Sequence, residues 1–246
     1  MGEMRNCEDG KFARSEALLG SEAMKRLKEA RVLVVGVGGV GSWCAEALVR
    51  TGVGKVTLID DDVVAESNVN RQCPATTETI GRAKVEAMAE RLRAINPRCE
   101  VRARCSRFSR GSSIEGFDVV VDAIDSVDCK VELILKATGA GVPLVSSMGA
   151  ALRTDPTKVK VTRFEKVEGD GLAKALRQRF RKMERWPKGK FVCVWSTEKA
   201  YGALSSEAER IPLLPSGKGS LMPVTATFGM CLASETIKVL TKGETR

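Results

Sequence analysis

The motif Gly36-x-Gly38-x-x-Gly41 directly follows a short apolar, β-rich run (RVLVVG, 31–36) and opens a helical stretch at 42–51. No other feature constrains the fold as strongly. Glycines in this turn let the backbone approach a phosphate, and the helix N-terminus adds unpaired N–H groups and the positive end of its dipole. A second run, 55–60 (KVTLID), ends on Asp60, 19 residues after Gly41, where a carboxylate accepts hydrogen bonds from ribose hydroxyls. Strand, turn and helix in this order specify a bound nucleotide. They do not choose between ATP and NAD, because NAD(P) oxidoreductases carry the same fingerprint.

The alternation continues downstream. Residues 82–95 form an amphipathic helix with Val85, Met88, Leu92 and Ile95 at spacings of three and four. Residues 101–105, 117–122 and 142–146 read as strands, with a helix at 129–138 between the last two. Parallel strands need helical crossovers, so the pattern specifies an α/β, Rossmann-like, doubly wound and mainly parallel sheet. After Gly149 the texture changes. Strands at 159–164 and 191–196 flank a basic helix at 172–185, and the expectation is a C-terminal antiparallel extension. Residues 201–220, with glycine, proline and serine, read as a loop, and 224–240 as a closing helix.

Composition removes several chemistries. The chain has no histidine, which excludes Ser-His-Asp and Cys-His catalysis. Reaction must run on Asp, Glu, Lys, Arg, Cys, Ser or the substrate itself. The eight cysteines are scattered singly with no Cys-x-x-Cys pair, which argues against a disulfide framework and against zinc. No apolar run approaches the roughly 20 residues that span a bilayer. The polar start MGEMRNCEDGKFARSE has no signal core, so the expected place is cytoplasmic, away from any membrane. A net charge of +9 draws polyanions such as nucleic acid or anionic lipid, and serves solubility equally well.

The residues beyond the fingerprint carry the choice of nucleotide. Asp60-Asp61-Asp62 is followed by Ser67-Asn68-Val69-Asn70-Arg71-Gln72, a polar, arginine-bearing segment. Lys84 sits in the first turn of its helix, where a cation opposes the dipole unless an anion neutralises it. Asp125 and Ser126 follow the fourth strand (VVVDAIDS) at the carboxyl edge of the sheet, where ligands of such folds bind. Arg71 and Lys84 suit a triphosphate, with Asp125 holding Mg²⁺ opposite them. A redox cofactor needs no such clamp.

The run GVGGVGS…LIDDDVVAESNVNRQ…GRAKVE…DAIDS resembles the ubiquitin-activating-enzyme-like superfamily of adenylating enzymes, over roughly residues 11–240. The resemblance implies a single adenylating domain over 1–246, with 1–150 binding ATP and 151–246 binding substrate and closing the core. It implies ATP contacts from Gly36, Gly38, Gly39, Gly41, Asp60, Ser67, Asn68, Arg71, Lys84, Asp125 and Ser126, with Asp125 placing the metal. Arg14, in KFARSEALLG, matches the arginine that homodimers of the superfamily insert into the partner's ATP site. Within the superfamily the chain looks most like the tRNA threonylcarbamoyladenosine dehydratases, on RTGVGKVTLID, AINPRC, VVDAIDS, CVWSTE (193–198) and PVTATFGM (223–230). That branch implies tRNA as substrate and leaves room for a sulfur-transfer protein partner.

The implied reaction starts with attack of a threonyl carboxylate on the α-phosphate of ATP. Arg71, Lys84, Asp125 with Mg²⁺, and Arg14 of the second subunit would act on the phosphates. The carbamoyl group then closes a five-membered ring and expels AMP, an intramolecular step in which positioning supplies much of the rate. Cys193 is a candidate nucleophile, but its setting in FVCVWSTE fits a buried strand cysteine better. Residues 163–190 hold ten Lys and Arg against four Asp and Glu, so Lys174, Arg177, Arg181 and Arg185 become candidates for RNA phosphate contact. Trp186 and Trp195 flank that patch, as platforms for stacking a base or as core. The first alternative is an adenylyltransferase acting on the C-terminal glycine of a ubiquitin-like sulfur carrier. An NAD(P) oxidoreductase and a non-catalytic nucleotide-binding module rank below it.

Overall fold

The computed structural model describes residues 10–200 and 218–242. Seven strands form one sheet in the order β3-β2-β1-β4-β5-β7-β6. They are β1 (Arg31–Val35), β2 (Lys55–Asp60), β3 (Glu100–Cys105), β4 (Val119–Asp122), β5 (Leu144–Ser147), β6 (Val159–Arg163) and β7 (Val192–Ser196). Every neighbouring pair is parallel except β6 on β7. The doubly wound sheet and its antiparallel extension are therefore both present. β7 joins β5 in parallel, so the C-terminal strands continue the main sheet.

Central parallel strands are covered on both faces, and their sequences are accordingly unbroken apolar runs. Val32 and Val34 of β1 face a core shared with α3 (Gly41–Thr51), α4 (Lys84–Ile95) and α7 (Met222–Thr241). Leu33 and Val35 face the opposite core, built with α5 (Val127–Gly139) and α6 (Gly171–Lys182). A strand whose alternate residues serve two cores has little register freedom.

The elements differ from the sequence expectations at two places. Two short N-terminal helices, α1 (Ala13–Leu19) and α2 (Ser21–Glu29), precede the sheet. The basic helix ends at Lys182, where Arg185 N–H closes back on the Phe180 carbonyl at 3.1 Å, so Arg185 lies past it. The expected loop at 201–220 falls outside the described residues apart from 218–220. Among the described residues no helix is long and apolar enough to cross a membrane.

Candidate functional site

The glycine-rich turn sits at the carboxyl edge of β1, between β2 and β4. Gly36 has φ +90, and a Cβ there would lie 2.6 Å from the Ala123 carbonyl oxygen, so no other residue fits. Gly41 opens α3. At Gly38 a Cβ would meet nothing closer than Gln72 Nε2 at 3.9 Å, which leaves the turn open above its backbone. At Gly39 it would lie 3.1 Å from Arg71 Cγ, so the arginine stem lies directly over the turn.

Asp60 ends β2 with its carboxylate aimed into this turn. Its Oδ2 accepts the Val37 N–H at 2.6 Å and its Oδ1 accepts the Asp62 N–H at 2.9 Å. Burial pushes its pKa up, while these two N–H donors and the Lys84 charge pull it back. The lone pairs left on each oxygen suit ribose hydroxyls.

The segment between Ala65 and Cys73 is tightly braced. Asn68 Oδ1 accepts the Ala65 N–H at 3.1 Å, closing the 3-10 turn that also holds Ser67. Arg71 Nη1 donates to the Ser67 carbonyl at 2.7 Å and to Asn70 Oδ1 at 2.9 Å, and Trp43 Nε1 donates to the Arg71 carbonyl at 2.9 Å. Behind it, the Cys73 N–H donates to Ser42 Oγ and the Cys73 thiol to Glu46 Oε2 at 2.8 Å. Burial lowers the Arg71 pKa, and the charge of Asp125 offsets it. Gln72 Oε1 is buried with no hydrogen-bond partner, beside the open space over Gly38. An orphaned acceptor there is an expense that a bound polar ligand would remove.

Lys84 is the first residue of α4 and is buried. Its Nζ lies 2.6 Å from Asp62 Oδ2, so the cation at the helix start is neutralised within the chain. The anion that the sequence demands is thus present as Asp62. A phosphate entering this site meets a lysine already held in place.

The β4 edge is organised by a pair that the sequence reading did not single out. Lys130 Nζ and Asp122 Oδ2 are 2.8 Å apart and both side chains are wholly buried. Ser146 Oγ donates to the same carboxylate at 2.7 Å. Lys130 also donates to the Ile124 carbonyl at 3.0 Å, and Asp122 Oδ1 accepts the Ile124 N–H at 3.2 Å. Both backbone polar groups of Ile124 are thereby fixed immediately before Asp125, which is exposed. Ser126 precedes α5 and accepts from Arg107 Nη2 at 3.2 Å. Among the described residues one carboxylate cluster has the spacing of a cation site, Asp60, Asp61 and Asp62, and it does not include Asp125.

Other expected residues are placed as follows. Cys193 is wholly buried on β7 and burial pushes its thiol pKa far up, which leaves it protonated and enclosed. Trp195 is buried with Nε1 donating to Thr162 Oγ1 at 2.9 Å, so it is core; Trp186 is 51% exposed. On α6, Arg177 gives its Nη2 to the Phe164 and Val167 carbonyls and stacks over the Phe164 ring, while Lys174 and Arg181 are exposed. Arg185 is exposed beyond the helix. Arg14 is exposed on α1, a helix that buries none of its residues and leaves Leu18 84% exposed.

A second buried network closes the C-terminal side. Arg153 Nη2 pairs with Asp170 Oδ2 at 3.0 Å, its Nε donates to the Gly149 carbonyl at 3.0 Å and its Nη1 to the Ser196 carbonyl at 3.1 Å. Asp170 also caps α6 through the Ala173 N–H. One arginine therefore ties the ends of β5 and β7 to the start of the basic helix.

Comparison with known proteins places this geometry. The ThiF family model matches residues 12–246. The chain is 39% identical to the tRNA threonylcarbamoyladenosine dehydratase of Escherichia coli (strain K12), over 93% of this chain and 92% of that protein. It is 42% identical to the enzyme of the same name from Bacillus subtilis (strain 168), over 70% of this chain and 69% of the relative. Among solved structures it is similar to the crystal structure of E. coli tRNA N6-threonylcarbamoyladenosine dehydratase, TcdA, in complex with ATP. The TM-score is 0.84 at 39% identity, covering 94% of this chain and 93% of that one.

Proposed function

The chain belongs to the ThiF family, and from that premise we propose that it is an ATP-dependent tRNA threonylcarbamoyladenosine dehydratase. The observation that carries the reading is the clustering of Arg71 over Gly39, Asp60 against the Val37 N–H, and Lys84 beside Asp62 around one open turn. ATP fits this site. Open space over Gly38 and two braced cations, Arg71 and Lys84, offer a phosphate-sized cradle with its charges already in place.

In the proposed reaction a threonyl carboxylate oxygen attacks the α-phosphorus of ATP, and the bond to the β-phosphate oxygen breaks to release pyrophosphate. Arg71 and Lys84 neutralise the charge that gathers on the phosphates. The carbamoyl group of the same side chain then attacks the activated acyl carbon, loses a proton and expels AMP. The oxygen lost from the substrate leaves on AMP, so the step is a dehydration without free water. No enzyme nucleophile is needed, which agrees with a chain lacking histidine and with an enclosed Cys193. Bound Mg²⁺, held by Asp125, would add charge neutralisation at the phosphates. Ser67, Asn68 and Ser126 complete the proposed contacts to ATP, with Gly36 and Gly41 shaping the turn.

The exposed α1 helix supports a homodimer in which Arg14 reaches the second subunit's ATP site. Lys174, Arg181 and Arg185 are the proposed RNA contacts near α6, and Arg177 holds the Phe164 to Val167 turn beneath them. Activation of a sulfur-carrier glycine would use the same adenylation chemistry, and the near full-length identity to dehydratases favours RNA. The test is pyrophosphate release from ATP with tRNA carrying threonylcarbamoyladenosine, against unmodified tRNA and against a carrier protein. Release confined to the modified tRNA supports the proposal; release with carrier protein alone refutes it.

A further inference from the structure

One face of the sheet loses its helical cover toward the β3 edge. Register aligns Arg31, Lys55 and Glu100 across β1, β2 and β3, then Leu33, Thr57 and Arg102, then Val35, Ile59 and Arg104. Leu33, Val35 and Ile59 are buried in the core formed with α5 and α6. Their neighbours on β3, Arg102 and Arg104, are exposed on that same face. Together with Arg31 and Lys55 they line a groove of about 320 Å³, walled on its other side by Ser113, Glu115 and Phe117.

The groove is electropositive. Four cations face two carboxylates, Glu100 and Glu115, and Glu100 is already paired with Arg102. Arg31, Lys55 and Arg104 make no ion pair among the described residues. Charged residues on an edge strand serve to prevent strand-to-strand association, and that accounts for β3 alone. It does not account for Arg31 and Lys55 at the starts of β1 and β2, nor for the groove they enclose.

The charge also leads to the ATP site. Beyond Arg104 the chain leaves β3 at Cys105, opposite Asp60, and Arg107 follows. Arg107 donates to Ser126 Oγ at 3.2 Å and to Cys129 Sγ at 3.0 Å, next to Asp125. Asp128, in the first turn of α5, pairs with Arg179 of α6 at 2.9 Å. A basic track thus runs from the β3 groove through Arg107 to the carboxyl edge, where Asp61 and Asp128 lie close to the Arg107 guanidinium.

We infer that the β2–β3 groove, with Lys55, Arg102 and Arg104, binds the phosphate backbone of the RNA whose modified base enters the carboxyl edge. The inference rests on the tRNA reading above and extends it to a surface outside α6. A nucleoside in a loop occupies the site, while the flanking backbone leaves it along the basic track. Backbone contacts of this kind position the substrate and make affinity salt-dependent without reading sequence.

The test measures tRNA affinity against salt for wild type, R102E/R104E and R181E/R185E, with ATP affinity and thermal unfolding as controls. The expected result for R102E/R104E is at least about tenfold weaker binding and a salt slope reduced by about 2, with ATP affinity unchanged. R102Q/R104Q, which introduces no new repulsion, should give the same slope change with a smaller loss. Folded R102E/R104E that binds tRNA with wild-type affinity and slope overturns the inference. Wild type that binds no tRNA at low salt and releases no pyrophosphate with it overturns the tRNA reading itself, which separates the two failures.

Discussion

Lys130 Nζ and Asp122 Oδ2 form an ion pair at 2.8 Å with neither side chain exposed, and the same two side chains hold the backbone N–H and carbonyl of Ile124. A buried pair is worth little against an apolar replacement, but losing one partner strands a charge. Lys130→Met or Asp122→Asn alone should therefore cost about 3–5 kcal/mol in denaturant unfolding. The double variant should recover most of that stability. Pyrophosphate release should stay impaired in all three, because Asp125 follows the freed peptide. If K130M unfolds at the wild-type denaturant concentration, the pair does not anchor the β4 edge.

Arg71→Ala and Lys84→Met should each lower the turnover for pyrophosphate release by about 10²–10³. Arg71→Lys restores the charge but not the two bonds to Ser67 and Asn70, so it should recover only part of the rate. Steady-state kinetics with saturating ATP checks this. A wild-type rate in either first variant removes that residue from the phosphate clamp.

Cys193→Ser should retain adenylation and dehydration within about twofold and lose some stability, because it is an enclosed packing thiol. Intact-protein mass spectrometry during turnover should show no substrate adduct on Cys193. A trapped thioester there would require a different second step.

Glu46 ties α3 to Cys73 and to Arg91 of α4. Burial works against its charge, but hydrogen bonds from Arg91, Cys73 and Arg50 hold its pKa down at about 2, from an ordinary 4.5. A depressed carboxylate contributes stability that is complete above its unfolded value and is lost as pH falls through its folded value. Unfolding free energy should thus decline from about pH 4.5 toward pH 2, and Glu46→Gln should flatten that decline and lower stability at neutral pH. Urea titrations at a series of pH values read both effects. An unchanged acid limb in E46Q would show that other carboxylates carry it.

The sheet and the nucleotide turn were readable in the sequence for a physical reason. Strands buried on both faces are uninterrupted apolar runs, and Gly36 occupies a backbone conformation that only glycine tolerates. Asp60, Arg71 and Lys84 stand out in the sequence because all three lie between the carboxyl end of β2 and the start of α4, the edge where ligands of such folds bind. The Asp122–Lys130 and Arg153–Asp170 pairs were not, since a lysine within a helix reads as a solvated charge until the fold buries it. Arg177 likewise reads from sequence as a solvated charge, whereas its guanidinium donates to two backbone carbonyls. Helices α1 and α2 escaped because they are short, and α1 has no buried residue to give it a periodic face.

We propose that this site dehydrates threonylcarbamoyladenosine through an acyl adenylate. The direct measurement is nucleoside mass spectrometry of tRNA incubated with the full chain, ATP and Mg²⁺, alongside an R71A control. The account predicts that threonylcarbamoyladenosine loses one water in step with AMP formation, and that neither occurs with R71A. Unchanged nucleoside, together with adenylation of a sulfur-carrier glycine by the same preparation, would contradict it.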